Sequence, residues 1–267
     1  MRILVTIPHF YRASPAPRYG SEIATAAPFR ARLLTDCLRT LHAHCGERQS
    51  ITSRDGEIRS VIPANAALGA ELDIVICTTG ADHLVDKIAG AAFRHHATEA
   101  EPRLLGYECH QVLADNLGRY DYYGYLEDDL TILDPLFFHK LAWFAATFGE
   151  QRLLQPNRFI MRRDGQKHYF ETITVSRYHD EPPISARLMG IDLAFRRPRN
   201  GHSGCFFLTE AQMRRWTAQS YFMDRSSALI GPLESAATLG IRRTFTLYKP
   251  NEPNAAFLEL RDRGRPE

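Results

Sequence analysis

The sequence predicts an α/β fold: a mixed, mostly parallel sheet flanked by helices, then a half that contains a β-hairpin. Three observations predict it. Short apolar, β-branched runs alternate with stretches of helical spacing over the first 150 or so residues, the order expected of a parallel sheet with crossover helices. The runs are apolar almost throughout, as strands covered on both faces must be. After that point the pattern changes to alternating runs joined by Asp164-Gly165, a hairpin signal.

Taken in order, "RILVTIP" (Arg2–Pro8) is a β-branched run closed by proline and predicts a buried first strand. A loop rich in Pro, Ala and Ser follows. "PFRARLLTDCLRTLHAHCG" carries Leu33, Leu34, Cys37, Leu38 and Leu41 at helical spacing, with Gly46 as its stop. "ELDIVICTTG" predicts a second buried strand, "YECHQVLADNLGRY" a helix and "YYGYLEDDLTI" the third strand. Asp134-Pro135 supplies an N-cap and first-turn proline for a helix over "LFFHKLAWFAATFG". Further on, "HSGCFFLTEAQMRRW" reads as strand then helix and "GPLESAATLGI" as a helix, while "RDRGRPE" reads as a frayed tail. One domain is expected, with halves at 1–135 and 136–255 and a tail over 256–267.

Composition narrows the function classes. The 267 residues are 44% hydrophobic, enough for a sizeable core. The net charge of +2 argues against nucleic acid as a partner. No apolar run reaches the roughly 20 residues that cross a bilayer, and "MRILVTIPHF" lacks the features of a signal peptide. The five cysteines are odd in number and form no C-x-x-C pair, so no zinc site or disulfide framework is expected, and a reducing cytoplasm is the expected setting. Lysine occurs only at 87, 140, 167 and 249, so the positive charge is almost all arginine, whose planar donors suit phosphate and carboxylate.

The chemistry concentrates at "GYLEDDLTILDP". In open α/β sheets ligands bind beyond the carboxyl ends of the strands. That rule brings together "TIPHFYR", "TTGADH" and "EDDL". Alternation along an extended strand puts Tyr125, Glu127 and Asp129 on one face and Gly124, Leu126 and Leu130 on the other. Paired carboxylates repel unless a cation neutralises them, and oxygen ligands suit Mn²⁺ or Mg²⁺. A solvated turn is the competing account, but this triplet follows a buried-looking strand.

With "LEDDL" closing a central strand, the order of elements resembles the glycosyltransferases of the GT-A fold, whose Asp-x-Asp motif holds a metal against a nucleotide-sugar diphosphate. "HSGCFFLT" (His202–Thr209) looks like the glycine-bearing strand lining their donor and acceptor pocket. "GPLESAATLGI" is similar to the helix carrying their acidic catalytic residue. The resemblance covers roughly residues 1–250 and makes 1–135 the nucleotide-binding half and 136–255 the acceptor half. It implies Asp129 and Glu127 as metal ligands, with Asp128 as a variable middle residue that could share ligation. The first position holds Glu where the family has Asp. A C-terminal histidine ligand common in the family has no counterpart in "YKPNEPNAAFLELRDRG", which leaves Asp262 or a nonprotein ligand to substitute.

On this resemblance Glu234 is the candidate base in an inverting hexosyltransferase-like reaction, with Asp224 in reserve. Thr6, Pro8, Phe10, Tyr11 and Asp82 are candidates for the base and ribose. Arg197, in an Arg196–Arg199 loop that also reads as ordinary basic surface, and His202 are candidates near the sugar diphosphate. Expected partners are a UDP- or GDP-sugar donor and a saccharide or lipid-linked acceptor, in surface-polysaccharide or glycolipid assembly, with peripheral membrane contact left open. His179, Asp180 and Glu181 read as an acidic loop over the acceptor. The pairs His42/His44 and His95/His96 read as solvated helix residues. Two rivals stay open: a noncatalytic saccharide- or nucleotide-sugar-binding protein, and a sugar nucleotidyltransferase, which "TIPHFYRASPAPRYG" disfavours because it offers no glycine-rich phosphate cradle. No G-x-G-x-x-G follows a predicted strand and no P-loop is present.

Overall fold

The computed structural model of the chain describes residues 1–55, 58–170, 182–229 and 231–264. The expected acidic loop at His179, Asp180 and Glu181 lies outside the described residues. The first half comprises β1 (Arg2–Pro8), α1 (Ala27–Thr40), β2 (Gln49–Asp55), β3 (Ile58–Ala64), β4 (Glu71–Thr79), β5 (Arg94–Thr98), α2 (Leu105–Asp115), β6 (Tyr122–Leu126) and β7 (Leu130–Thr131). Then come α3 (Phe137–Phe148), β8 (Arg152–Leu154), β9 (Asn157–Met161), β10 (Lys167–Phe170), β11 (Ile184–Leu188) and β12 (Ile191–Arg196). β13 (Cys205–Thr209), α4 (Glu210–Thr217), α5 (Pro232–Thr244), β14 (Thr246–Pro250) and β15 (Glu259–Asp262) complete the chain.

The central sheet has the order β13-β6-β1-β4-β5. β1 lies between β4 and β6 and is parallel to both, β5 is parallel to β4, and β13 closes the edge antiparallel to β6. Side-chain alternation builds a core on each face. Ile3, Val5 and Ile7 enter one cluster with Leu34, Leu38 and Phe137, while Leu4 and Tyr125 enter the other with Leu113, Trp216 and Ile241. On β13, Cys205 and Phe207 face the first cluster, Phe206 and Leu208 the second. All five cysteines are buried and free.

Gly124 has a packing reason. It sits opposite Phe207 across the β6–β13 ladder, and a Cβ there would come within 2.7 Å of that ring. The missing side chain lets the phenylalanine lie across the strand.

Several expectations need correction. The third strand ends at Leu126: residues 127–129 leave the central sheet, and β7 joins a second sheet of order β10-β9-β15-β7. Arg261 and Asp262 are residues of β15, which pairs with both β7 and β9, so they are not a frayed tail. Leu258 and Leu260 are fully buried, which anchors this segment. α3 begins at Phe137, with Asp134 accepting from the Leu136 amide in a turn before the helix. His95 and His96 lie on β5, and His95 is bonded to Thr78 Oγ1 at 2.8 Å. A third sheet, β11-β12-β14-β8, and the β2–β3 ribbon, with Ile51, Val61 and Ile62 exposed, were not foreseen. The Asp164-Gly165 hairpin is present between β9 and β10. No helix among the described residues is long and apolar enough to cross a membrane.

Gly124→Val should force Phe207 off its position and cost about 1–3 kcal/mol by overpacking, read as a lower urea midpoint with an unchanged slope.

Candidate active site

Because β1, β4 and β6 are parallel, their carboxyl ends open on the same edge of the sheet, and the segments that follow are tied together there. The His9 amide donates to the Cys77 carbonyl at 2.9 Å, and the Tyr11 amide donates to that of Asp82 at 2.9 Å. The Glu127–Asp129 turn is held from three sides. The Glu127 amide donates to the Gly204 carbonyl (2.9 Å), the Leu130 amide to Glu127 (3.2 Å) and the Arg263 amide to Asp129 (3.0 Å). Gly204 has a φ of +67°, and a Cβ there would meet Glu127 Oε2 at 2.7 Å, so both conformation and space require glycine.

At the centre of the turn is Asp128, 5% exposed. Its Oδ2 accepts from His9 Nδ1 at 2.6 Å and its Oδ1 from Arg30 Nη2 at 2.7 Å. His9 Nε2 accepts from the Leu84 amide at 3.1 Å, which leaves the proton on Nδ1 and aims it at the carboxylate. One imidazole therefore joins the loops after β1, β4 and β6. Burial by itself raises the pKa of Asp128, but Arg30 and then His9 outweigh it and hold the carboxyl below its ordinary value.

The flanking acids behave oppositely. Burial, then the charge of Asp129, raises the Glu127 pKa well above its ordinary value, with Arg158 opposing, and Glu127 Oε1 is buried without a hydrogen-bond partner. Burial, then the charge of Asp128, pushes Asp129 up to about 6, with Arg30 opposing from 3.6 Å. Solvent reaches 24% of the Asp129 side chain and tempers that effect. Asp262 adds to the negative field, although Arg158 Nη1 lies 3.6 Å from its Oδ2.

Whether these residues fit a divalent cation follows from the donor set. Among the described residues no three His, Cys, Asp or Glu side chains gather as a ready coordination sphere. Glu127 and Asp129 nonetheless present hard oxygen donors whose ionisation burial and neighbouring acids disfavour, with one orphaned carboxyl oxygen. That pair fits a hard ion that takes its other ligands from water and phosphate. Asp128 does not fit that role, because both its oxygens are taken by His9 and Arg30.

The other candidates are dispersed. Glu234, in the first turn of α5, lies close enough to add to the fields on Glu127 and Tyr125. Asp224 does not join this cluster. It pairs with Arg243 at 3.1 Å, and Arg243 lies roughly 13 Å farther along α5 than Glu234, at about 1.5 Å per residue. Thr6 is fully buried and donates to the Gly124 carbonyl at 3.0 Å, and Pro8 is buried opposite Cys77. Tyr11 donates to the carbonyls of Ile23 (3.2 Å) and Ala24 (3.0 Å). Phe10 packs on the second core cluster with Arg12 over its ring, and Arg12 is ion-paired with Asp82. His202 is buried, its Nδ1 near Thr238 Oγ1 (3.2 Å) and its carbonyl accepting from Lys249 (3.1 Å). Arg197 is half-buried directly after β12.

Sequence reading missed His9, Arg30 and Arg158. His9 carried a signal, since it directly follows the first strand at the edge where ligands bind. Arg30 carried none, being one of several arginines in a helix.

No family model matches the sequence, and no curated protein matches it. Among solved structures the chain is similar to that of S. aureus TarS, with a TM-score of 0.45 and 10% identity. The match covers 93% of this chain and 35% of that one, so the chain spans about a third of that protein's length. A likeness at that level does not extend to side chains.

Two consequences can be measured in chelator-containing buffer. Asp128→Ala strands two buried partners and should cost about 3–5 kcal/mol, seen in denaturant unfolding. Asp129→Asn should act in the other direction. The folded-state pKa of Asp129, about 6, lies above its ordinary value of 3.8. The group is therefore neutral in both states at lower pH, and its penalty builds as pH rises through 6. The variant should gain on the order of 1 kcal/mol at pH 8, allowing for exposure, and show a flatter decline of stability between pH 4 and 7.

Proposed function

We propose that this chain is a glycosyltransferase of the GT-A type that moves a sugar from a nucleoside-diphosphate donor to a saccharide or lipid-linked acceptor. The observation that carries this reading is the Glu127–Asp129 turn at the carboxyl edge of the central parallel strands. Two of its carboxylates lack full compensation, and one carboxylate oxygen is buried without a donor. Two acids whose ionisation is disfavoured until a cation neutralises them suit a ligand that arrives as a cation with a diphosphate.

In this reading Glu127 and Asp129 hold Mn²⁺ or Mg²⁺. When bound, the ion supplies charge stabilisation to the departing nucleoside diphosphate. Arg30, beside Asp128 and Asp129, and Arg158, 3.6 Å from Asp262 and opposing the upward shifts of Glu127 and Asp129, keep the edge from excessive net negative charge. Glu234 takes the acceptor hydroxyl proton as that oxygen forms its bond to the anomeric carbon. The sugar–phosphate bond breaks on the opposite side, its electrons leaving with the diphosphate, so the configuration inverts. Asp224, paired with Arg243 at the other end of α5, has no part in this scheme. The loops carrying Phe10, Tyr11 and Asp82 supply the wall for base and ribose.

A noncatalytic nucleotide-sugar-binding protein is the second reading. It is favoured by the guanidinium of Arg30, which already occupies the space between Asp128 and Asp129.

Thermal unfolding with UDP or GDP, with and without Mn²⁺, tests the site. At a hundredfold excess over Kd one nucleotide should stabilise the parent by about 2.7 kcal/mol in a metal-dependent way, and Asp129→Ala should lose that gain. The same gain in the variant would refute the assignment. Glu234→Gln should keep the nucleotide-induced shift while release of UDP or GDP from donor sugars falls about 10²–10⁴-fold. Nucleotide binding without turnover of any donor by the parent would select the second reading.

A further inference from the structure

The β2–β3 ribbon stands apart from the three larger sheets, and no third strand joins it among the described residues. It leaves the body of the protein at the bridge between Gly46 and Ala70, where the Glu47 amide donates to the Ala70 carbonyl at 3.0 Å. Glu71 then starts β4 opposite Arg2, so the ribbon is rooted at the amino ends of the parallel strands, the end away from the acidic turn. Residues 50–55 and 59–63 are all exposed, so both faces are open to solvent. A lone two-stranded hairpin is at best marginally stable in water. This one nevertheless exposes Ile51 (61%), Val61 (69%) and Ile62 (52%).

Register settles which edge can accept another strand. Ile51 pairs with Ile62 and Ser50 with Pro63. Proline has no N–H, so the ladder bonds run through the pairs of Gln49 with Ala64, Ile51 with Ile62 and Ser53 with Ser60. The residues between, Ser50 and Thr52 on β2 and Arg59, Val61 and Pro63 on β3, turn their backbone groups outward. Pro63 withholds a donor from the outer edge of β3, and exposed Arg94 puts a charge on β5, the outer strand of the central sheet. Both are usual guards against strand addition. β2 has neither over residues 49–53: the side chains are uncharged, and the outward amides of Ser50 and Thr52 meet no acceptor among the described residues.

The strand that fits such an edge is extended, exposed and itself unguarded, and β2 of a second copy is one. Antiparallel pairing about a twofold axis at Thr52 sets Ser50 opposite Arg54 and Gln49 opposite Asp55, so no like charges meet. It also brings the two Ile51 side chains diagonal to one another on one face, each beside its own Ile62. We propose that this chain self-associates through the outer edge of β2, two ribbons joining into one four-stranded sheet that leaves the acidic turn of each copy open.

Contacts of this size fall below about 1,200 Å² and make weak dimers, so the association depends on concentration. Sedimentation of the full chain should show a mass rising from 30.4 kDa toward twice that value as concentration increases. Thr52→Pro removes an outward N–H while sparing the ladder to β3, and it should hold the mass at that of the monomer. All five native cysteines are buried, so Thr52→Cys adds an exposed thiol at the twofold axis, and mild oxidation should join its copies by a disulfide. The same sheet holds Ser60 three strand spacings, about 14 Å, from its counterpart. Ser60→Cys should therefore stay unlinked, since a disulfide needs Cα atoms within about 7 Å. If Thr52→Pro does not fold, the contrast between the two cysteine variants decides. A monomer at every concentration, a dimer that Thr52→Pro does not weaken, or equal cross-linking of the two cysteine variants would overturn the proposal.

Discussion

A buried carboxylate cannot remain charged in a protein interior unless fixed donors replace the water it has lost. Asp128 meets that condition with His9 on one oxygen and Arg30 on the other. The arrangement constrains much more than one side chain. His9 is held by the loop after β4, Arg30 belongs to α1, and Asp128 sits where the chain passes from β6 to β7. Removing any member would leave another buried with one of its hydrogen bonds unmade, which is why such networks persist or fail as a unit.

With both oxygens of the middle acid taken by His9 and Arg30, the less compensated carboxyls of the turn are its neighbours. Glu127 and Asp129 share a small volume, and each carries a raised pKa from burial first and from its acidic neighbours next. The fold tolerates this because the backbone of the turn is held by Gly204, Leu130 and Arg263, so repulsion between side chains cannot unwind it. Stored electrostatic strain of this kind is typical of sites that receive a charged ligand. It also divides the labour: an ion-paired acid positions the loops, and its two neighbours are left without full compensation.

α5 connects this edge to the opposite core. Its first turn carries Glu234 beside the acidic turn, while farther along Gly240 packs against Trp216 in the second core cluster. That close packing fixes the helix that presents Glu234 against the core.

Much of the first half was legible in the residues themselves. Local rules identify β1, β4 and β6 because apolar β-branched runs of that length have few alternatives, and they identify α1 from the spacing of Leu33, Leu34, Cys37 and Leu38. The acidic triplet was legible for the same reason, as charge placed where a buried strand ends. Tertiary structure alone decided the inequality of its three members. Alternation extrapolated from β6 groups Glu127 with Asp129, but the chain changes sheets after Leu126, and the partner of Asp128 comes from residues 98 and 119 positions away in sequence. Likewise nothing local marks Asp262 as a strand residue opposite Leu130, or Asp224 as the partner of Arg243. Periodicity reports which side of an element is apolar, whereas the pairing of charges depends on which elements meet, and that is set by the packing of the whole chain.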